Sequence, residues 1–73
     1  MSSSELTTPK FIKLTDVWSD TFYVNVNDIN FMTRSKTTGL EGRQAATYLL
    51  YCHANGANVV ETIEEIIEII KGN

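Results

Sequence analysis

The segment 62–70 constrains the fold of this chain more than any other part of its sequence. Four isoleucines recur there at the three- and four-residue spacing of one helix face; they are Ile63, Ile66, Ile67 and Ile70. Thr62 and Glu65 have the spacing of a capping box, in which side chains satisfy free amides at a helix start. Isoleucine is a weak helix former on its own. We therefore expect a C-terminal helix that ends at Gly72 and depends on packing its isoleucines against a sheet.

Upstream of this helix, short stretches of alternating apolar and polar residues predict β-strands. They cover residues 11–15, 21–26, 29–33, 45–52 and 58–60. The Asn55-Gly56 pair predicts the last turn, because both residues tolerate positive φ. The predicted fold class is α+β, a small antiparallel β-meander of about five strands packed by one C-terminal α-helix. We expect a flexible N-terminal tail over residues 1–10 and a single domain over residues 11–73.

Length and cysteine content limit how such a domain is stabilised. A chain of 73 residues has a marginal core, and small domains are usually reinforced by disulfides, metals or oligomerisation. The single cysteine, Cys52, excludes an intrachain disulfide, and the single histidine, His53, leaves no usual Cys/His metal set. We therefore predict a homo-oligomer with no metal and no cofactor. We also expect Cys52 to be a small core residue and His53 to be exposed at the hairpin.

The charge balance bears on partners and location. Nine Asp and Glu stand against six Lys and Arg, which argues against nucleic acid as a partner. Apolar runs stay well below the roughly 20 residues needed to cross a bilayer. The first residues lack the basic and apolar regions of a signal peptide. We expect a cytoplasmic protein without membrane insertion.

Several short motifs follow one another in a recognisable order. They are Ile12-Lys13-Leu14-Thr15, Phe22-Tyr23-Val24-Asn25, Asn27-Asp28-Ile29, and Val59-Val60-Glu61-Thr62 before the acidic isoleucine helix. Over residues 11 to 70 this order resembles the FlbD/SwrD family of small flagellar and swarming-motility proteins. The resemblance implies an accessory protein and offers no catalytic residues. The chain departs from the family pattern in its N-terminal tail, its long connection from Arg34 to Arg43, and Trp18-Ser19-Asp20 in the first turn.

Catalytic chemistry finds little support in the sequence. The GxSxG, HExxH, CxxC and Walker motifs do not occur. The glutamates of the C-terminal helix are typical of a solvated helix face. Cys52 and His53 are adjacent, so on a strand their side chains would point to opposite faces. We predict that the protein is not an enzyme and has no catalytic residues.

The connection from Arg34 to Arg43 is the candidate anion-binding site. It gathers three of the six cations together with hydroxyls and glycines, which can supply charge and hydrogen-bond donors to an anion. The residues predicted to bind the anion are Arg34, Lys36, Thr37 and Arg43. An ordinary flexible hairpin loop is the alternative interpretation.

A surplus of apolar residues predicts a contact surface. One sheet face would pack on the helix through Ile12, Leu14, Phe22, Val24, Ile29 and Phe31. The other face would still carry large apolar side chains, and such a patch usually marks an interface. The candidate interface residues are Phe11, Trp18, Tyr23, Met32 and Tyr48. Oligomerisation through sheet faces or strand edges is the preferred interpretation, and a barrel that buries both faces is the alternative.

Three functions are compatible with these features. The first is a non-enzymatic interaction module, a homo-oligomer that acts through contacts with itself or with a protein partner. The second is an oligomer that binds or sequesters an anionic small molecule or nucleotide through residues 34–43, as a phage-encoded inhibitor of host defence would. The third is a single-strand nucleic-acid binder that stacks bases on Tyr23 and Tyr48, against which the net negative charge argues.

Overall fold

A computed structural model describes residues 10–72 of the chain. Its elements are β1 (Phe11–Thr15), β2 (Thr21–Asn25), β3 (Ile29–Arg34), β4 (Thr47–Tyr51), β5 (Asn55–Val59) and α1 (Ile63–Gly72). Short 3-10 turns at Val26–Asp28 and Leu40–Gly42 precede β3 and β4. The predicted α+β fold class is confirmed. The predicted tail lies outside the described residues except for Lys10, whose backbone carbonyl accepts a hydrogen bond from the Val26 N–H at 2.8 Å.

The strands form two antiparallel sheets. β1 pairs with β2, and β3, β4 and β5 pair in that order. An isolated bridge between Asp16 and Val59 joins the sheets, and beside it the Val17 N–H donates to the Asn58 carbonyl at 2.9 Å. Because the sheets meet at the end of β1, both turn their apolar residues toward one shared core.

That shared core is closed by α1. Its buried members are Ile12, Leu14, Val24, Leu49, Ala57, Val59 and Ile66. Ile66 has 0% of its surface exposed, and Ile69 and Ile70 pack against the same cluster. Ile67 remains 41% exposed. The helix and its end are predicted correctly, but of the four predicted isoleucines only Ile66 and Ile70 pack in the core; Ile69 packs there as well, whereas Ile63 and Ile67 do not belong to the cluster.

The predicted capping box is present at the start of α1. The Thr62 N–H donates to Oε1 of Glu65 at 2.8 Å, and the Glu65 N–H donates to Oγ1 of Thr62 at 3.0 Å. Just before it, Oε1 of Glu61 accepts from the Thr15 N–H at 3.0 Å, and the Glu61 carbonyl accepts from the fully buried Thr47 hydroxyl at 2.8 Å. These bonds join the start of α1 to both sheets. Glu61 therefore has a structural role that the interpretation as a solvated face missed.

A β-bulge changes which side chains of β3 face the core. The pairing register with β4 shifts between Ile29 and Phe31, and a one-residue shift exchanges the two faces of a strand. Phe31 is consequently 49% exposed, whereas Met32 packs against the core. The prediction that Phe31 faces the helix and Met32 faces away is wrong for this reason.

The hairpin between β4 and β5 turns before the predicted position. Asn55 and Gly56 belong to β5, and the turn uses positive φ at Cys52 (52°) and His53 (67°). Cys52 is exposed, so its prediction as a core residue is wrong, while His53 is exposed as predicted. Gly56 has a packing role instead, because a Cβ there would lie 2.1 Å from the hydroxyl of Tyr48.

Candidate functional site

The structure separates the four candidate anion-binding residues into two places. Arg34 and Lys36 line a surface pocket of about 210 Å³ beside the start of α1. The rest of its lining comes from Ser35, Ala46, Thr62, Ile63 and Glu64. The Thr37 N–H donates a hydrogen bond to Oγ of Ser35 at 3.3 Å, and Thr37 does not line the pocket. Arg43 does not line this pocket, because its Nη1 donates to the Ser19 carbonyl at 2.6 Å and approaches the Asp16 carbonyl at 3.4 Å.

The charges around this pocket partly oppose one another. Arg34 and Lys36 lie near the positive end of the α1 dipole, where an anion is favoured. Arg34 also pairs with Glu64 at 3.8 Å, and both side chains are largely exposed. An exposed ion pair contributes little energy, so an anion can displace Glu64 from Arg34. The pocket can therefore offer two cations to a small anion, while the Ser35 hydroxyl donates its proton to Asn58.

The connection between β3 and β4 is held against the rest of the protein. The Leu40 N–H donates to the Val17 carbonyl at 2.8 Å, and the Gly39 N–H donates to the Arg43 carbonyl at 2.7 Å. The Ser35 hydroxyl donates to the side chain of Asn58 at 2.7 Å. Together with the bonds made by Arg43, these contacts connect the segment to the β1–β2 loop and to β5. No local sequence pattern indicates these hydrogen bonds between residues that are far apart in the chain.

Large apolar side chains lie exposed on both sheets. Phe11 and Tyr23 stand on the outer face of the β1–β2 hairpin, where they are 55% and 66% exposed, and Trp18 is exposed in the loop between β1 and β2. On the other sheet, Tyr48 is half-buried and its ring lies 6.2 Å from that of Phe31. Phe31 therefore takes the exposed position that the sequence pattern had assigned to Met32. The bulge that causes this exchange leaves no clear mark in the sequence.

Glutamates border an open groove of about 440 Å³ along α1. Its lining is Glu61, Glu64, Glu65, Glu68 and Ile69. Glu61 and Glu65 use carboxylate oxygens for the backbone bonds at the start of the helix. Among residues 10–72, the acidic, histidine and cysteine side chains form no group of three or more that could hold a metal ion.

The pKa of the Cys52 thiol lies above its ordinary value. Desolvation and the charge and hydrogen bond of Asp28 raise the pKa of the Cys52 thiol. Because Cys52 is exposed, the nearby Asp28 carboxylate is the stronger of these causes. A raised pKa lowers the thiolate fraction at neutral pH, and the thiolate is the reactive form. The site therefore favours an unreactive thiol.

Within residues 10–72, no helix is long and apolar enough to cross a membrane, and α1 has only 10 residues. Comparisons of the chain with protein-family models, with curated proteins and with solved structures find no match. The assignment of a function therefore depends on the residues and their geometry.

Proposed function

We propose that this protein is a small, non-enzymatic interaction module of the cytoplasm that forms a homo-oligomer and acts through protein–protein contacts. The observation that carries the proposal is the outer face of the β1–β2 hairpin. Phe11 pairs with Asn25 and Lys13 pairs with Tyr23 in this hairpin, so Phe11 and Tyr23 are diagonal neighbours on one face. Diagonal neighbours lie about 7–8 Å apart, within reach of aromatic side chains. More than half of each ring is exposed, and exposed aromatic clusters commonly anchor interfaces.

The small core supports self-association. The buried cluster consists largely of aliphatic side chains around Ile66, with aromatic residues only partly buried at its margin. A core of this size leaves a domain marginally stable. Binding a second copy in the folded state would stabilise it by mass action.

The chemistry of the described residues supports a non-enzymatic role. The raised pKa of Cys52 disfavours a nucleophilic thiol, and Glu61 and Glu65 have structural bonds. The resemblance to the FlbD/SwrD family suggests motility as the biological process, and that suggestion rests on the sequence pattern alone.

Sedimentation velocity tests the oligomer. Over a series of concentrations reaching tens of micromolar, we expect a mass that is a multiple of the 8.2 kDa chain. Replacing Phe11 and Tyr23 together with threonine should shift the protein toward the monomer, because the exposed rings are removed. Leu40→Thr is the matched control, since Leu40 is also half-exposed but lies in the β3–β4 connection. A wild-type monomer throughout the series would contradict the proposal.

A second candidate function is the binding of an anionic small molecule or nucleotide. It is favoured by the pocket in which Arg34 and Lys36 stand beside the start of α1. Because Thr37 and Arg43 do not line this pocket, Arg34 and Lys36 are the residues proposed to bind the anion.

Thermal-shift measurements test anion binding. Inorganic phosphate and nucleotides, compared with chloride at equal ionic strength, should raise the melting temperature. A ligand at 100 times its dissociation constant would add about 2.7 kcal/mol to the free energy of unfolding. Arg34→Ala with Lys36→Ala should abolish the shift, whereas Arg43→Ala should preserve it after correction for its own stability loss. Equal melting temperatures in all of these salts would exclude this function.

A further inference from the structure

We propose that the free edge of β2 pairs with β2 of a second copy, antiparallel about a two-fold axis at Tyr23. This inference rests on the proposed homo-oligomer and names its contact. It follows from which backbone groups the β1–β2 hairpin leaves unused.

The direction of the β2 backbone groups follows from the bonds at both ends of the hairpin. In an antiparallel pair, hydrogen-bonded and non-hydrogen-bonded residue pairs alternate. The Val26 N–H donates to the Lys10 carbonyl at 2.8 Å, and the Asp16 N–H donates to the Asp20 carbonyl at 3.3 Å. These bonds make every second pair between them a hydrogen-bonded pair. Those pairs are Ile12–Val24 and Leu14–Phe22.

The bonds of Thr15 agree with this alternation. Its N–H donates to Oε1 of Glu61 and its carbonyl accepts from the Val60 N–H, both at 3.0 Å. Thr15 therefore turns its backbone groups away from its partner Thr21, and Thr21 must turn its own groups the other way.

The residues with outward backbone groups are Thr21, Tyr23 and Asn25. Within residues 10–72, these N–H and C=O groups form no backbone hydrogen bond with another element.

β2 contacts the other sheet through its inner face, where the ring of Phe22 stacks on that of Tyr51, whereas the hydrogen bonds to α1 and to the segment before it come from the β1 side of the hairpin. Thr15 bonds to Glu61 and Val60 on that side. At the other end of β1, Nζ of Lys10 donates to the carbonyl of Ile70 near the end of α1. Both ends of α1 are thus connected to β1 and away from β2. The edge of β2 is therefore accessible to another strand.

The two bridged sheets have the strand order β2-β1-β5-β4-β3, so β2 and β3 are the outermost strands. These two strands differ in how they are protected from pairing with another chain. Proteins protect edge strands with charges, prolines, bulges or a covering element. β3 has a bulge, ends in Arg34, and lies beside α1 through the Arg34–Glu64 ion pair. β2 has the sequence Thr-Phe-Tyr-Val-Asn, with no charge and no proline, and its register is regular. β2 therefore lacks the features that usually protect an edge strand from pairing.

A second copy of β2 is a complementary partner for this edge. With the axis at Tyr23, the two Tyr23 residues pair with each other, and Thr21 pairs with Asn25 of the second copy. Three hydrogen-bonded pairs would supply about six backbone hydrogen bonds.

Charged side chains do not oppose this pairing. Lys13 lies on the same face as Tyr23, and it would be about 14 Å from Lys13 of the second copy, across three strand spacings. This distance exceeds a Debye length of about 8 Å. No like charges meet, so the chain's own β2 fits without a foreign partner.

A charge exchange at residue 23 tests the symmetry directly. In a Lys13→Thr chain, which lacks the charge directly opposite residue 23 on β1, Tyr23→Lys and separately Tyr23→Glu would place like charges against each other across the axis, and self-association should weaken by about tenfold or more. An equimolar mixture of the two variants should recover association, because lysine then faces glutamate. Thr33→Lys and Thr33→Glu are matched controls, since Thr33 is exposed on β3 and bonded toward β4. Sedimentation measures association, and circular dichroism verifies that each variant is folded.

A second measurement uses cross-linking. In a Cys52→Ser chain, Tyr23→Cys should form an intermolecular disulfide on mild oxidation, because directly opposed residues of a hydrogen-bonded pair lie about 5.5 Å apart, within disulfide range. Thr33→Cys should not. If the wild type is an oligomer but both charge variants associate as it does, the β2 contact is overturned and the homo-oligomer stands. If the wild type is a monomer, both proposals fail.

Discussion

Ile66→Ala is expected to lower the free energy of unfolding by about 2–5 kcal/mol. Ile66 comes from α1, is completely buried, and packs in the cluster shared by the two sheets. Removing its outer carbons leaves a cavity that strands bonded on both sides cannot readily fill. Small domains have only about 5–15 kcal/mol of total stability, so the variant should be partly unfolded at moderate temperature.

Ile67→Ala is the matched control for this substitution. It makes the same change at the next position of the same helix, but Ile67 is 41% exposed. We expect it to lose less than half as much stability as Ile66→Ala. Urea unfolding followed by circular dichroism, at one fixed protein concentration, measures both values. Equal losses would contradict the assignment of Ile66 to the centre of the core.

Gly39→Ala is expected to lower the free energy of unfolding by about 1–3 kcal/mol or more. A Cβ at position 39 would lie 2.1 Å from the Val17 carbonyl oxygen and 2.7 Å from the Val17 Cβ. Val17 is itself completely buried, so it cannot move aside. The methyl group must push the β3–β4 connection away, which breaks the bond from the Leu40 N–H to the Val17 carbonyl.

Gly72→Ala provides the comparison for Gly39→Ala. A Cβ at position 72 meets nothing within 4 Å, so its effect should be within about 0.5 kcal/mol, as for most surface substitutions. Thermal and urea unfolding of the two variants give the difference. If Gly39→Ala were as stable as Gly72→Ala, the close approach of the connection to Val17 would be wrong.

Several elements were predictable because their causes are local. The capping box depends on residues three positions apart, and the strands depend on short alternating runs. The hairpin turn was missed because Cys52 and His53 adopt positive φ, whereas the sequence signal at Asn55-Gly56 favoured a later turn. The candidate anion site was only partly anticipated. Arg34 and Lys36 share a pocket, but Arg43 bonds to carbonyls of a distant loop that no local pattern identifies.

The order of the strands, the helix and its capped start follow from spacing and propensity within a few residues, so local patterns are enough to predict them. The buried face of β3 and the free edge of the sheets depend instead on contacts between distant residues. The bulge in β3 exchanges Phe31 with Met32, and the bridge between Asp16 and Val59 joins the two sheets. Pairing between residues far apart in sequence selects a register from several that local patterns allow equally, and that register leaves the backbone of β2 at the surface.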